Sequence, residues 1–180
     1  MFKKILVALD SSDQRQGLLA QAVTLAQATQ AQLMLTHVLS AYEKDSPGIP
    51  TRSYQAYYPV LDDATWKAYQ LRWQEFEAKR LAQLQAEIEV AQKAGVQAEF
   101  SLLSGEPAAV ICNVAKSWEA DLILVGSRGR KGLSELLLGS VSNHVMHHAP
   151  CSVLVVHGNA VPGNQPVSAE PVPAEVSAQR

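Results

Sequence analysis

The stretch from Asp121 to His144 constrains the fold more than any other part of the chain. An apolar run, Leu122 to Val125, stops abruptly at Gly126. Gly129, Gly132 and Gly139 follow, with Arg128, Arg130 and Lys131 among them, and a helical pattern begins at Gly139-Ser140. A strand that runs into a glycine loop and then into a helix N-terminus is a cradle for phosphate. Free backbone N–H groups converge there, and the helix dipole favours negative charge.

The remaining chain supplies the sheet that such a loop needs. Apolar runs at 4–9, 32–39, 96–103, 122–125 and 151–156 read as strands, and continuous runs of this kind suit strands buried on both faces of a parallel sheet. Helical patterns lie between them at 17–29, 62–94, 108–120 and 140–148. This alternation predicts an α/β domain with a mainly parallel sheet and right-handed crossovers. Asp10-Ser11-Ser12-Asp13 offers capping oxygens for the first helix, Gly95 a stop for the second, and Pro107 a first-turn residue for the third.

The second helix is unusual. Trp66, Tyr69, Trp73 and Phe76 recur at steps of three and four, a spacing that usually marks core, and Leu81, Leu84, Ile88 and Ala91 continue the stripe. Lys67, Arg72, Glu75, Glu77, Lys79, Arg80, Glu87 and Glu89 read as the solvated side. About 30 residues of helix span about 45 Å, so the aromatic half is expected to overhang a small sheet or bend at its surface. Before it, residues 40–62 carry Pro47, Gly48, Pro50 and Pro59 together with Tyr42, Tyr54, Tyr57 and Tyr58. They read as an irregular aromatic insertion. Segment 42–76 is a candidate lid or protein-partner surface, since aromatics are enriched at interfaces.

At 180 residues and 47% hydrophobic, the chain suits one packed domain, expected over residues 1–157. Residues 158–180 are rich in proline and alanine without apolar period, and read as a disordered tail. A net charge of −2 offers no basic field for nucleic acid or an anionic membrane. No apolar run approaches a membrane span, and the run ended by Asp10 reads as a strand rather than a targeting segment. Cys112 and Cys151 read as buried free thiols. The expectation is a cytoplasmic protein.

The chemistry concentrates at the strand ends. Gly126 leaves the ligand's path clear, Gly129 can take positive φ and help form a cup of N–H groups, and Gly139 removes a side chain where the fourth helix starts. Ser140 can donate to a phosphate or cap the helix, and Arg128, Arg130 and Lys131 are cationic donors. Ligands of open α/β sheets sit outside the carboxyl ends of the strands. Asp10 and Val38 should therefore face the same crevice, Asp10 toward a ribose hydroxyl or a metal and the Val38 backbone toward an adenine edge. The candidate contact set is completed by Ser11, Ser127, Gly132 and Val141.

Competing chemistries are weaker. There is no GxxxxGK[ST] loop, and Gly126-x2-Gly129-x2-Gly132 has the wrong spacing and place for a dinucleotide fingerprint. His144 and His148 share a helix face that could suit a metal, but no third ligand is visible, so His144, His147 and His148 read as surface or dimer-face residues. His37 reads as a packed, hydrogen-bonded histidine. Asp13 reads as a helix cap and Glu135 as solvated. No dedicated catalytic constellation emerges, which leaves slow incidental hydrolysis, or a scaffold with a vestigial pocket, as the alternatives to nucleotide holding.

Gly-x2-Gly-x9-Gly-Ser/Thr arises by chance in roughly one percent of chains this long. Gly126-x2-Gly129-x9-Gly139-Ser140 resembles the ATP-binding motif of the universal stress protein family. Ile5-Leu-Val-Ala-Leu-Asp10 resembles that family's opening strand, Gly105-Glu-Pro107 its third-helix entry, Ala120-Asp-Leu-Ile-Leu-Val-Gly126-Ser-Arg-Gly129 its fourth-strand signature, and His148-Ala-Pro-Cys-Ser-Val-Leu-Val-Val156 its closing strand. The resemblance implies a five-stranded parallel sheet in the order 3-2-1-4-5 with helices on both faces. It also implies phosphate contacts from Gly126, Gly129, Gly139 and Ser140, a ribose or phosphate role for Asp10 and adenine contact at Val38. A homodimer made through the Cys151–Val156 strand is part of the same implication. The expected ligand is ATP or AMP, with Mg²⁺ as a companion of ATP. Residues 40–76 and the tail depart from the family's pattern.

Overall fold

A computed structural model describes residues 1–43, 45–48, 50, 63–127 and 138–157. The described elements run β1 (Lys4–Ala8), α1 (Arg15–Thr29), β2 (Gln32–Leu39), α2 (Asp63–Lys93), β3 (Ala98–Ser104), α3 (Pro107–Ser117), β4 (Leu122–Gly126), α4 (Ser140–His148) and β5 (Ser152–Val156). The five strands form one sheet in the order β3-β2-β1-β4-β5, and every pairing is parallel. The fold class, strand order and parallel sense are those expected from the sequence.

The central strand explains why helices pack on both faces of the sheet. Ile5, Leu6 and Val7 of β1 are fully buried, and each contributes roughly 1.5–3 kcal/mol by leaving water. Alternation sends Ile5 and Val7 to one face, where they pack with Leu18, Ala22 and Ala26 of α1 and Leu84, Ile88 and Ala91 of α2. Leu6 and Ala8 go to the other, with Ala108, Ile111 and Ala115 of α3 and Val145 of α4. Helices therefore cover both faces.

Gly95, at φ +80°, ends α2, and Val96 N donates to the Ala91 carbonyl at 3.0 Å, as an αL helix stop requires. Gly105 also has positive φ, +147°, just before α3. At α3, Pro107 occupies the first turn and the Glu106 carboxylate caps the helix by accepting from Ala109 N at 2.7 Å.

Three expectations are corrected. Helix α1 begins two residues before Gly17, and its N-cap is Gln14 with no side-chain cap bond. Neither Asp10 nor Asp13 caps it. Asp10 Oδ1 instead accepts from Ser12 N at 3.1 Å and Ser12 Oγ at 2.6 Å, a local turn that competes with capping. Second, Arg80 and Glu87 do not belong to a solvated face. Arg80 is 4% exposed, and Glu87 binds the buried Arg15 guanidinium at 2.5 and 2.8 Å. Third, the aromatic stripe is not core along its length. Trp66, Tyr69, Trp73 and Phe76 form a ladder of mutually tilted rings with centroid spacings of 5.5, 6.3 and 5.6 Å. Only Phe76 is buried, and residues 63–75 contribute no buried side chain. This half of α2 overhangs the body. Insertion residues 51–62, including Tyr54, Tyr57, Tyr58 and Pro59, and the tail lie outside the described residues, so the lid expectation lies largely outside them too.

Candidate functional site

A cavity of about 650 Å³ opens at the carboxyl edge of the sheet. The strand order fixes its place. The chain winds from β1 through β2 to β3 on one side, then crosses to β4 and β5 on the other, so the connections leaving the paired ends of β1 and β4 run in opposite directions and open a crevice. Of the expected contact residues, the sheet brings Asp10, Ser11, Val38, Gly126, Gly139, Ser140 and Val141 into the lining. Ser127 lies behind it, 2% exposed. Its amide donates to the Val156 carbonyl and its own carbonyl accepts from Gly139 N, both at 2.8 Å. Ser127 thus ties the end of β4 to the start of α4 rather than lining the cavity. Arg128, Gly129, Arg130 and Gly132 lie outside the described residues, as do Lys131 and Glu135.

The β4–α4 side has the geometry of an anion site. Gly139 is the N-cap of α4 and offers no side-chain bond to the helix. Ser140 is already the first helical residue, so it does not serve as the cap. The amides of the first turn have no intrahelical acceptor, and Ser140, Val141 and Ser142 all line the cavity. Gly139 has φ −62° and ψ 153°. Any residue can adopt these angles, so the backbone conformation does not require glycine here. Ser142 Oγ donates to the Gly126 carbonyl at 2.5 Å and locks the helix start against the strand end.

At β2, Thr36 accepts from Leu9 N at 2.9 Å, which turns the Thr36 backbone, and two residues on that of Val38, toward β1. The β1–β2 pairing ends at Ala8–Thr36. Val38 therefore presents backbone polar groups on a side with no strand opposite, facing the cavity.

Sequence reasoning missed a polar network at this end. Ser11 Oγ donates to Glu43 Oε1 at 2.7 Å. His37, 2% exposed, is the packed histidine expected: Nδ1–H donates to the Leu9 carbonyl at 2.7 Å, which leaves Nε2 3.1 Å from Glu43 Oε1. Arg80 Nε lies 2.9 Å from the same oxygen. Its N–H is not aligned for a hydrogen bond, so the contact is an ion pair. Arg80 Nη2 also reaches Asp45 at 3.4 Å, and Arg15 Nη1 donates to the Asp10 carbonyl at 2.7 Å. Burial pushes the Glu43 carboxyl up, but hydrogen bonds from His37 and Ser11 and the charges of His37 and Arg80 outweigh it. The carboxyl is held below its ordinary value.

Thr36 also lines the cavity, 1% exposed, and its hydroxyl has no partner. Nothing in an apolar strand marks such a residue beforehand. Glu43 and Glu106 carried a signal: each is a carboxylate just past a strand's carboxyl end.

The other candidates remain outside the site. His144 and His148 stack at 4.1 Å, and no group of three His, Cys, Asp or Glu able to hold a metal occurs among the described residues. Cys112 and Cys151 are free and half-buried rather than fully buried. Burial raises both thiols, with help from Glu106 at Cys112 and from Asp121 at Cys151. No helix among the described residues is long and apolar enough to cross a membrane.

Residues 1–157 match the sequence profile of the universal stress protein family. The chain belongs to the universal stress protein family. It is 36% identical over 155 residues to the universal stress protein Sll1388 of Synechocystis sp., covering 86% of this chain and 97% of that one. It is 38% identical over 156 residues to the universal stress protein YxiE of Bacillus subtilis, covering 87% and 99%. Among solved structures, the universal stress protein UspA from Lactobacillus plantarum superposes with a TM-score of 0.66 at 26% identity over 86% of this chain and 97% of that one. A universal stress protein in complex with cAMP shares the fold at TM-score 0.60 and 22% identity, covering 87% and 98%. A family member from Arabidopsis thaliana with AMP bound does so at 0.52 and 19%, covering 88% and 93%.

Proposed function

We propose that this universal stress protein holds an adenine 5′-nucleotide, ATP or AMP, and acts as a regulatory protein rather than a dedicated enzyme. One observation carries the reading: the uncapped start of α4 opens, at a glycine without a side chain, onto the cavity that Asp10 and Val38 also line. The phosphates lie on the first-turn amides of α4 beside Gly126, where dipole and free N–H groups act together. The same reading assigns phosphate contacts to Gly129, Gly132, Arg128 and Arg130, which lie outside the described residues. Asp10 and Ser11 meet the sugar, and the Val38 backbone meets the adenine edge. Mg²⁺ arrives with ATP as its counter-ion. The cAMP and AMP bound to two structural relatives support the choice of adenine.

Pairing of two copies through β5 is part of the same proposal. That strand lies at the sheet edge with Leu154 43% exposed, and the nucleotide is expected to act through the dimer or through the aromatic half of α2. Calorimetric titration with ATP, ADP and AMP tests the core of the reading. Absence of binding at millimolar nucleotide would sink it in favour of a scaffold with a vestigial pocket.

A further inference from the structure

The cavity is electrically lopsided. Its lining carries three carboxylates, Asp10, Glu43 and Glu106, and among the described residues no lysine or arginine. The two nearby arginines among the described residues are turned into the helix packing and do not line it. Arg15 is held by Glu87, and Arg80 is shared between Glu43 and Asp45. Among the described residues, the carboxylates of Asp10, Glu43, Asp45 and Glu87 outnumber these two guanidiniums, so the described part of the β1–β2 end carries an excess of negative charge. The anion-binding geometry lies at the other end, on α4. An independent sign that this space takes a polar ligand is the buried Thr36 hydroxyl in its wall, which has no partner, whereas buried hydroxyls are nearly always bonded.

We propose that the carboxylate end reads the sugar of the bound nucleotide as a free diol and rejects a second phosphate on its 2′- or 3′-oxygen, with Glu43 as the specificity-determining residue. This rests on the nucleotide reading above. With the 5′-phosphates seated on α4, the sugar extends toward Asp10 and Ser11. Asp10 Oδ1 is occupied by Ser12, which leaves Oδ2 to accept from a hydroxyl. Ser11 gives its proton to Glu43, so its oxygen also faces the ligand as an acceptor. A diol supplies the protons these acceptors need. A phosphomonoester supplies none, and brings close to two negative charges instead. Glu43 need not touch it, because charge acts over several ångströms in a partly enclosed site. The same logic lets an acidic residue select a free ribose hydroxyl in dinucleotide folds, where accommodating a phosphate takes an arginine.

The test is calorimetric titration of the full chain with AMP and with adenosine 3′,5′-bisphosphate, at low and high salt. Wild type is expected to bind AMP at least about ten-fold tighter, with the ratio shrinking as salt screens the repulsion. Glu43→Gln keeps the shape and is expected to narrow the ratio several-fold. Equal or tighter binding of the bisphosphate by wild type overturns the inference while leaving the nucleotide reading intact, and needs no variant. An unchanged ratio in folded Glu43→Gln overturns the assignment to that residue. Failure of AMP itself to bind overturns the underlying reading and this inference with it.

Discussion

Arg80 of α2 and Glu43, four residues past β2, approach to 2.9 Å with side chains 5% and 8% exposed. This buried ion pair fastens the long helix to the cavity wall, since Glu43 also holds Ser11 and His37. Removing one member leaves the other charged and dry. Arg80→Met should destabilise the protein by about 2–4 kcal/mol, below the top of the usual range for a broken buried pair because Ser11 and His37 still serve Glu43. Urea denaturation of the two proteins measures it, and a loss under about 0.5 kcal/mol would show the pair to be energetically idle.

The pH dependence follows from the same carboxylate. The Glu43 carboxyl is held low in the folded state, so the unfolded chain takes up its proton first as pH falls. Its stabilisation is complete above the unfolded value of about 4.3 and is lost as pH drops through the folded value. Asp121 adds to this trend: the amides of Lys3 and Lys4 donate to it at 2.8 and 2.9 Å and hold it low. The urea midpoint should fall between about pH 5 and pH 3, and Glu43→Gln should flatten that fall while lowering the plateau.

The strands were legible because each is a short apolar run, and burial on two faces leaves little choice of partner. The starts and caps were harder. Asp10 looked like a cap but its carboxylate closes a local turn with Ser12, a choice that propensity does not decide. Charge alone makes Arg80 read as solvated. Its position argued otherwise: Phe76, Arg80, Leu84 and Ile88 fall at steps of four on one stripe, and all four are buried. The partner that makes this tolerable, Glu43, comes from a segment broken by proline and glycine, where no period points to anything. For the candidate site, the glycine spacing points to the carboxyl edge of the sheet, where the cavity opens. Thr36, hidden in an apolar strand, left no trace in the sequence.

Gly139 separates folding from binding. Its φ of −62° and ψ of 153° are open to valine, so Gly139→Val should fold, with an unfolding midpoint within a few degrees of wild type. The added side chain would stand at the mouth of the phosphate cradle. Nucleotide affinity should drop by at least about ten-fold, as loss of close anion approach to free N–H groups implies. Calorimetry with AMP beside a thermal melt reads both, and unchanged affinity in the folded variant would remove the phosphates from α4.

Cys112 and Cys151 should be poor nucleophiles at neutral pH. Burial raises both thiols, and the thiolate is the reactive form. Alkylation by iodoacetamide at pH 7 should be slower than for the same chain unfolded in urea, with the two converging as pH rises. Rapid native labelling would mean that the thiols are more open than their half-buried surroundings suggest.

The overhang of α2 should appear as a gradient of mutational cost along one helix. Phe76 is 5% exposed and carries the Arg80 guanidinium over its ring at 5.1 Å. Phe76→Ala removes core volume and loosens that cation, and should cost about 3–4 kcal/mol. Trp66, ten residues earlier on the same aromatic ladder, is 45% exposed and touches its neighbour Tyr69 rather than the sheet. Trp66→Ala should cost under about 1 kcal/mol, the scale of one exposed ring contact. Denaturation of both variants at low protein concentration tests the gradient. A cost for Trp66→Ala that matches Phe76→Ala would mean that the first turns of α2 are covered in solution, and repeating the measurement across protein concentration would show whether a second copy covers them.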